Sequence, residues 1–267
     1  MAGRVPAIHA LPCSAPVDAR VEPAHDEKDA NDEGVWKMNS SSKNVSRRGL
    51  LAVTALAPFI PPGRGFAATA QPQMSAADAR RRLEAGNARY IAGKPLRIDH
   101  SRRRESVAPA QMPFAIVLGC SDSRVPPEIL FDQGLGDIFT VRVAGNIADD
   151  LAIGSMEYAV EHFATPLIVV LGHERCGAVA ATVEAVAAGA TPPPHIARLV
   201  EAIRPAVEAS KGMAGDPVEN AIAQHVRRTV AALRQSQPVL ADAVGNDRLT
   251  IVGAEYHLAS GRVSFME

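Results

Sequence analysis

The chain carries three soft donors in two separated stretches. Cys120 lies in Cys120-Ser121-Asp122-Ser123-Arg124, and His173 and Cys176 share Gly172-His173-Glu174-Arg175-Cys176-Gly177. Two thiolates and one imidazole leave one corner of a tetrahedral zinc ion open, as in catalytic sites; structural zinc sites close all four positions with protein atoms. A lone cysteine at a strand end is ordinarily a small buried hydrophobe, and a lone histidine a satisfied core group. The combination of all three is what points to a metal, with Cys13 outside both clusters. Asp122 and Arg124 follow Cys120 closely. A carboxylate there can accept a hydrogen bond from hydroxide on the metal, provided a planar guanidinium orients it. An Asp–Arg pair that only fixes a loop has the same spacing.

These donors need a frame that brings both stretches to one place. Each sits where an apolar run closes on glycine: Phe114 to Gly119 before Cys120, and Leu167 to Gly172 before His173. Such Val/Ile/Leu runs read as buried parallel strands, and in open parallel sheets the carboxyl ends of the strands form the ligand crevice. Gly177 to Glu184 contains good helix formers and no proline, so Cys176 falls near a helix N-terminus, which favours a thiolate. Helical periodicity also covers Ala76 to Ile91, Ile153 to Phe163 and Ile196 to Ala209, and Pro126-Pro127 marks a helix start. Strands are expected at Phe114 to Leu118, Ile138 to Arg142, Leu167 to Leu171 and Leu249 to His257, with Arg262 to Met266 pairing back through Ala259-Ser260-Gly261. The prolines at 192–194 and the stretch Lys211 to Pro217 read as turns between helices. The fold class that follows is α/β, a mostly parallel central β-sheet flanked by helices.

Three blocks agree in order and spacing: Cys120 to Pro126, Gly136-Asp137-Ile138-Phe139-Thr140-Val141-Arg142-Val143-Ala144-Gly145-Asn146, and Gly172 to Gly177. Together with Leu83 to Tyr90 they resemble the β-class carbonic anhydrases, over about Ser75 to Met266. The resemblance implies the β-carbonic anhydrase fold and one Zn²⁺ per subunit held by Cys120, His173 and Cys176. It also implies reversible hydration of carbon dioxide to bicarbonate and a proton by zinc-bound hydroxide. Asp122 and Arg124 match the family's catalytic dyad. In some members the arginine releases the aspartate, which then takes the fourth metal position, so Asp122 is also a metal ligand in that closed state. Members with this bicarbonate-linked switch carry Trp three residues before the first cysteine. Val117 stands there in this chain, and the only Trp is Trp36. Arg142 matches the arginine of that regulatory site, but alone it is a weak match, and the open, water-bound form is expected.

Gln111, Phe139 and Tyr158 resemble the substrate pocket of the plant-like branch, with the backbone N–H of Gly177 as a further donor. An amide and two aromatic rings suit a small apolar gas whose product is an anion. Ala144 replaces a larger aliphatic residue of that branch. The resemblance places the site across a homodimer, or a higher even-numbered homo-oligomer, with Gln111 and Tyr158 contributed by the other subunit. His100, His162, His195, His225 and His257 are scattered, and none is nominated as proton shuttle. Two other activities share these features: hydrolysis of carbon disulfide or carbonyl sulfide on the same fold, and non-catalytic binding of zinc and bicarbonate. A dithiol redox protein is disfavoured by the lack of C-x-x-C.

The 267 residues carry a formal charge of −1, with 21% charged residues and only local arginine runs at 80–82 and 102–104. That balance gives nucleic-acid binding little electrostatic support. Ahead of the folded part, Arg47-Arg48 precede an apolar stretch from Leu50 to Ile60 and then Ala67-Ala68-Thr69-Ala70. The stretch is too short to span a bilayer but suits the core of a signal peptide, and the paired arginines resemble a twin-arginine export signal. Residues 1–70 are therefore read as an extension plus signal peptide and 71–267 as the enzyme domain, periplasmic or exported, with no stable membrane span in the mature form. Met38 would give a signal of ordinary length and is the expected true start. Export after folding would let the cysteines meet zinc before an oxidising compartment.

Overall fold

The computed structural model describes residues 74–266. The expected signal segment and the 70/71 boundary lie outside them.

A five-stranded sheet runs in the order β2-β1-β3-β4-β5. Its strands are β1 (Ala115–Gly119), β2 (Ile138–Arg142), β3 (Leu167–His173), β4 (Thr250–Tyr256) and β5 (Val263–Phe265). β1 pairs in parallel with both β2 and β3, β3 pairs in parallel with β4, and only β5 is antiparallel. The apolar runs are continuous because both faces are covered. Ile116, Leu118, Ile168, Val170 and Ile251 face a core shared with Met156, Val160, Val226 and Leu233. The alternate residues Ala115, Val117, Val169 and Leu171 face Leu83, Leu130 and Phe131. Each fully buried Leu or Ile contributes about 2 kcal/mol relative to exposure.

Among the described residues, eight α-helices follow from local signals: α1 (Ala76–Ile91), α2 (His100–Val107), α3 (Pro127–Leu130), α4 (Asp150–Phe163), α5 (Gly177–Ala188), α6 (Pro194–Ser210), α7 (Pro217–Arg234) and α8 (Val239–Gly245). The side chains of Ser75, Asp99, Asp149 and Asp216 accept backbone N–H groups at the starts of α1, α2, α4 and α7, which satisfies otherwise orphaned donors. Asp149 as cap is the reason α4 begins three residues before the expected Ile153. Gly189, at φ +60°, ends α5.

Several boundaries differ from the sequence reading. β3 extends beyond Leu171 to His173, so His173 is the last strand residue rather than the first loop residue; Gly172 and His173 continue the ladder opposite Glu255 and Tyr256. β1 starts at Ala115 rather than Phe114 and ends at Gly119, and α6 begins at Pro194, with Pro193 as its cap. β4 and β5 are each trimmed by one residue at both ends, to Thr250–Tyr256 and Val263–Phe265. α2, α7 and α8 carried no expectation.

Candidate metal centre

β1 and β3 end side by side, with Gly119 opposite Leu171. Cys120 leaves the end of β1 and His173 closes β3, while Cys176 is the N-cap residue of α5. The topology thus gathers all three donors at the carboxyl edge of the sheet. Their ligand atoms lie within 4.8 Å of one another and all three residues are buried. Ile147, Val179, Ile203, Val207 and Ile222 form an apolar shell around the cysteines.

The donor set fits a tetrahedral thiophilic cation. The Cys120 and Cys176 sulfurs are 4.0 Å apart, close to the roughly 3.8 Å that two Zn–S bonds of about 2.3 Å impose at the tetrahedral angle, and far beyond a disulfide's ~2.05 Å. The Nδ1–H of His173 donates to the carbonyl of Glu174 at 2.9 Å, which fixes the tautomer and leaves Nε2 with a free lone pair. That Nε2 is buried and has no hydrogen-bond partner. A buried polar atom left unpaired costs stability unless something else occupies it.

Electrostatics agree. The hydrogen bond from Cys176, against burial, pushes the Cys120 thiol well down, with further help from the N–H groups of Gly145 and Asp122. The same sulfur contact pushes the Cys176 thiol up, as does burial, so one sulfur ionises readily and the second needs a cation. Burial pulls His173 down, but the adjacent Cys120 sulfur outweighs it and the net direction is upward. Positive charge is therefore welcome between these groups.

Asp122 lies beside the cluster. Arg124 grips it in a fork, Nε to Oδ1 at 3.0 Å and Nη2 to Oδ2 at 2.7 Å. Oδ2 also stands 4.0 Å from the free nitrogen of His173. The hydrogen bond from Arg124, against a burial penalty, brings Asp122 down to about 2. It is thus a carboxylate that accepts hydrogen bonds and gives none.

The remaining expected site residues spread out. Gly177 opens α5 directly after Cys176, and a Cβ placed on it would meet nothing within 4 Å. Its face is open to an incoming molecule. Gln111 is exposed and precedes β1, at the opposite end of that strand from Cys120. Phe139 pairs with Ile116 partway down the sheet. Tyr158 on α4 stacks against His162 at 4.3 Å and meets Phe163 edge-on at 5.6 Å, and Phe139 reaches Phe163 at 6.3 Å. These residues form an aromatic group beside edge strand β2, and Gln111 is not brought to the cysteines of its own chain.

Two supports were not legible in the spacing. Arg142, at the end of β2, donates to the carbonyls of Cys120 and Asp122 at 3.0 and 2.5 Å and so clamps the loop that carries ligand and dyad. His225, on α7, reaches the carbonyl of Gly145 at 2.9 Å. Partners this distant in sequence leave no local pattern.

A family model described as carbonic anhydrase matches residues 115–263. A carbonic anhydrase of Mycolicibacterium smegmatis is 47% identical over 182 residues, 68% of this chain and 88% of that protein. Among solved structures, the β-carbonic anhydrase CcaA aligns with TM-score 0.57 at 25% identity, over 70% of this chain and 95% of that one. The Coccomyxa β-carbonic anhydrase, solved with acetazolamide, aligns with TM-score 0.55 at 27% identity, over 71% of this chain and 86% of that one. A family-model match over more than half of the chain, a relative near half identical and the same α/β sheet all agree: this chain belongs to the carbonic anhydrase family, in its β class.

Proposed function

We propose that the protein hydrates carbon dioxide reversibly to bicarbonate and a proton, using one zinc ion per chain on Cys120, His173 and Cys176. The observation that carries this reading is the convergence of three buried donors, one an imidazole nitrogen without a partner, beside an aspartate that a guanidinium holds ionised. Zinc in such a site supplies Lewis acidity that lets water give up a proton near neutral pH.

The protein's own groups do the rest. Asp122, ionised and gripped by the Arg124 fork, keeps acceptor capacity only for a group that donates, and so orients the attacking oxygen with its lone pair free for the carbon. Arg124 keeps the carboxylate from turning toward the metal, the open form. The apolar shell excludes competing water and suits an uncharged gas. The N–H of Gly177, in the first turn of α5 where amides lack intrahelical partners, is the proposed donor to the anionic product.

The assembly we favour is a homodimer, the plant-like arrangement in which Gln111 and Tyr158 enter the other copy's site. Supporting it, β2 is an edge strand, and Leu151 and Tyr158 on the neighbouring α4 are large apolar side chains left exposed, at 83% and 49%. Residues 1–70 are proposed as an extension and twin-arginine signal with Met38 as the true start, and 71–267 as the exported domain. No helix among the described residues is long and apolar enough to cross a membrane.

The test is stopped-flow hydration of carbon dioxide by the mature protein with its zinc counted. Near one zinc per chain, turnover that disappears on chelation and returns with zinc, and poor turnover of carbonyl sulfide are expected. Tight zinc with no hydration would leave a binding protein instead.

A further inference from the structure

We propose that His225 is a positioning residue for the Cys120 thiolate, acting through Gly145; this rests on the metal-centre reading above. His225 lies in the third turn of α7 and is 6% exposed. Its Nε2–H donates to the carbonyl of Gly145 at 2.9 Å. The N–H of the same glycine donates to Cys120 Sγ at 3.2 Å. Gly145 sits at φ +71° in the 3-10 turn Ala144–Asn146, and a Cβ there would lie 2.8 Å from Ile203 Cδ1 and 3.2 Å from Ala178 Cβ. The glycine is thus wedged against α5 and α6 on one side and tied to α7 on the other, with its amide aimed at the sulfur.

An amide on a thiolate withdraws charge from it. Two thiolate ligands neutralise the formal charge of a divalent ion and so weaken its pull on water. Hydrogen bonds to the sulfurs oppose that loss, as outer partners commonly tune a metal through its ligands. Cys120 receives two such bonds, from Gly145 and, at 3.4 Å, from Asp122. The Asp122 amide belongs to the ligand's own loop, whereas the Gly145 amide comes from a separate turn and keeps its aim only while that turn is held. His225 is the side chain that holds it. The plainer role, a donor that satisfies a buried carbonyl, is included in this one but predicts nothing about the sulfur.

The test uses the full domain loaded with zinc and, in parallel, with cobalt(II), whose sulfur-to-metal charge-transfer band reports the electron richness of the thiolates. Three variants separate the roles: His225→Leu fills the space without a donor, His225→Asn keeps a donor too short to reach, and His225→Gln restores an amide N–H at about the position of Nε2. His225→Leu and His225→Asn should move the band to longer wavelength and speed zinc loss to a chelator by about 10-fold, and His225→Gln should return both towards the parent. If His225→Leu or His225→Asn fails to fold, the other carries the comparison with His225→Gln. Unchanged bands in all three variants, even with lowered stability, would overturn the proposal and leave His225 a core residue. A parent protein without any thiolate band would instead sink the metal centre itself.

Discussion

Glu174 and His257 are 83 residues apart in sequence and meet at 2.9 Å, Oε1 to Nδ1. The other carboxylate oxygen accepts the N–H of Leu258 at 2.9 Å, and His257 Nε2 contacts Ser264 Oγ at 3.1 Å. The side chain of Glu174 is therefore tied to the β4–β5 hairpin, while its carbonyl accepts from the ring of His173. The imidazole ligand is aimed by a residue that is itself anchored at its far end. Glu174→Ala should free the ring and raise the rate of zinc loss by about 10-fold, with the sheet intact by circular dichroism. Zinc retention equal to the parent would show that the strap orients nothing.

Arg124 orients Asp122 and lowers its proton affinity further, and the approach of Asp122 to His173 gives it its role. Asp122→Asn keeps the shape but offers an N–H where the attacking oxygen needs an acceptor. Hydration should fall about 10- to 100-fold with zinc content unchanged, read by stopped flow beside metal counting. Unaltered turnover would remove Asp122 from the chemistry.

Val226 on α7 packs between two strands. A Cβ at Gly172 would lie 2.6 Å from Val226 Cγ2, and one at Gly253 would lie 2.7 Å from Val226 Cγ1. Neither glycine has a positive φ, so close approach is the reason both positions are glycine. Gly253→Ala should cost about 1–3 kcal/mol, measured by urea unfolding, and Gly253→Ala with Val226→Ala should recover part of it. Additive losses would rule out the contact.

Periodicity made the sheet and the helix α1 legible, because strands buried on both faces read as unbroken apolar runs and α1 carries Ala79 and Leu83 at helical spacing behind its Ser75 cap. The three metal donors were legible for the same reason: each is bound to a strand end or helix start that the local pattern marks. α7 was missed although Val218, Ala221, Ile222, Val226, Val230 and Leu233 recur at helical spacing, since His225 and Thr229 interrupt the stripe with polar side chains that prove buried. His225 carries no spacing signal of its own, because its partner lies 80 residues away. Gln111 and Tyr158 were drawn from the resemblance, and one chain alone does not join them to the cysteines.

The burial of His225 also sets a pH response that needs no metal. Burial lowers its proton affinity and the charge of Arg228 adds to this, while the hydrogen bond to Gly145 opposes both, and the net direction is downward. The folded state therefore binds fewer protons at this site than the unfolded chain, whose histidine titrates near 6.5. Stability from this group is complete above that value and is lost as pH falls through it towards the folded value. The urea midpoint of the metal-free protein should thus drop between pH 7.5 and 5.5, and His225→Gln, which does not titrate, should flatten that part of the curve. An identical slope in the variant would assign the loss to other groups and show that the imidazole is not held neutral against Gly145.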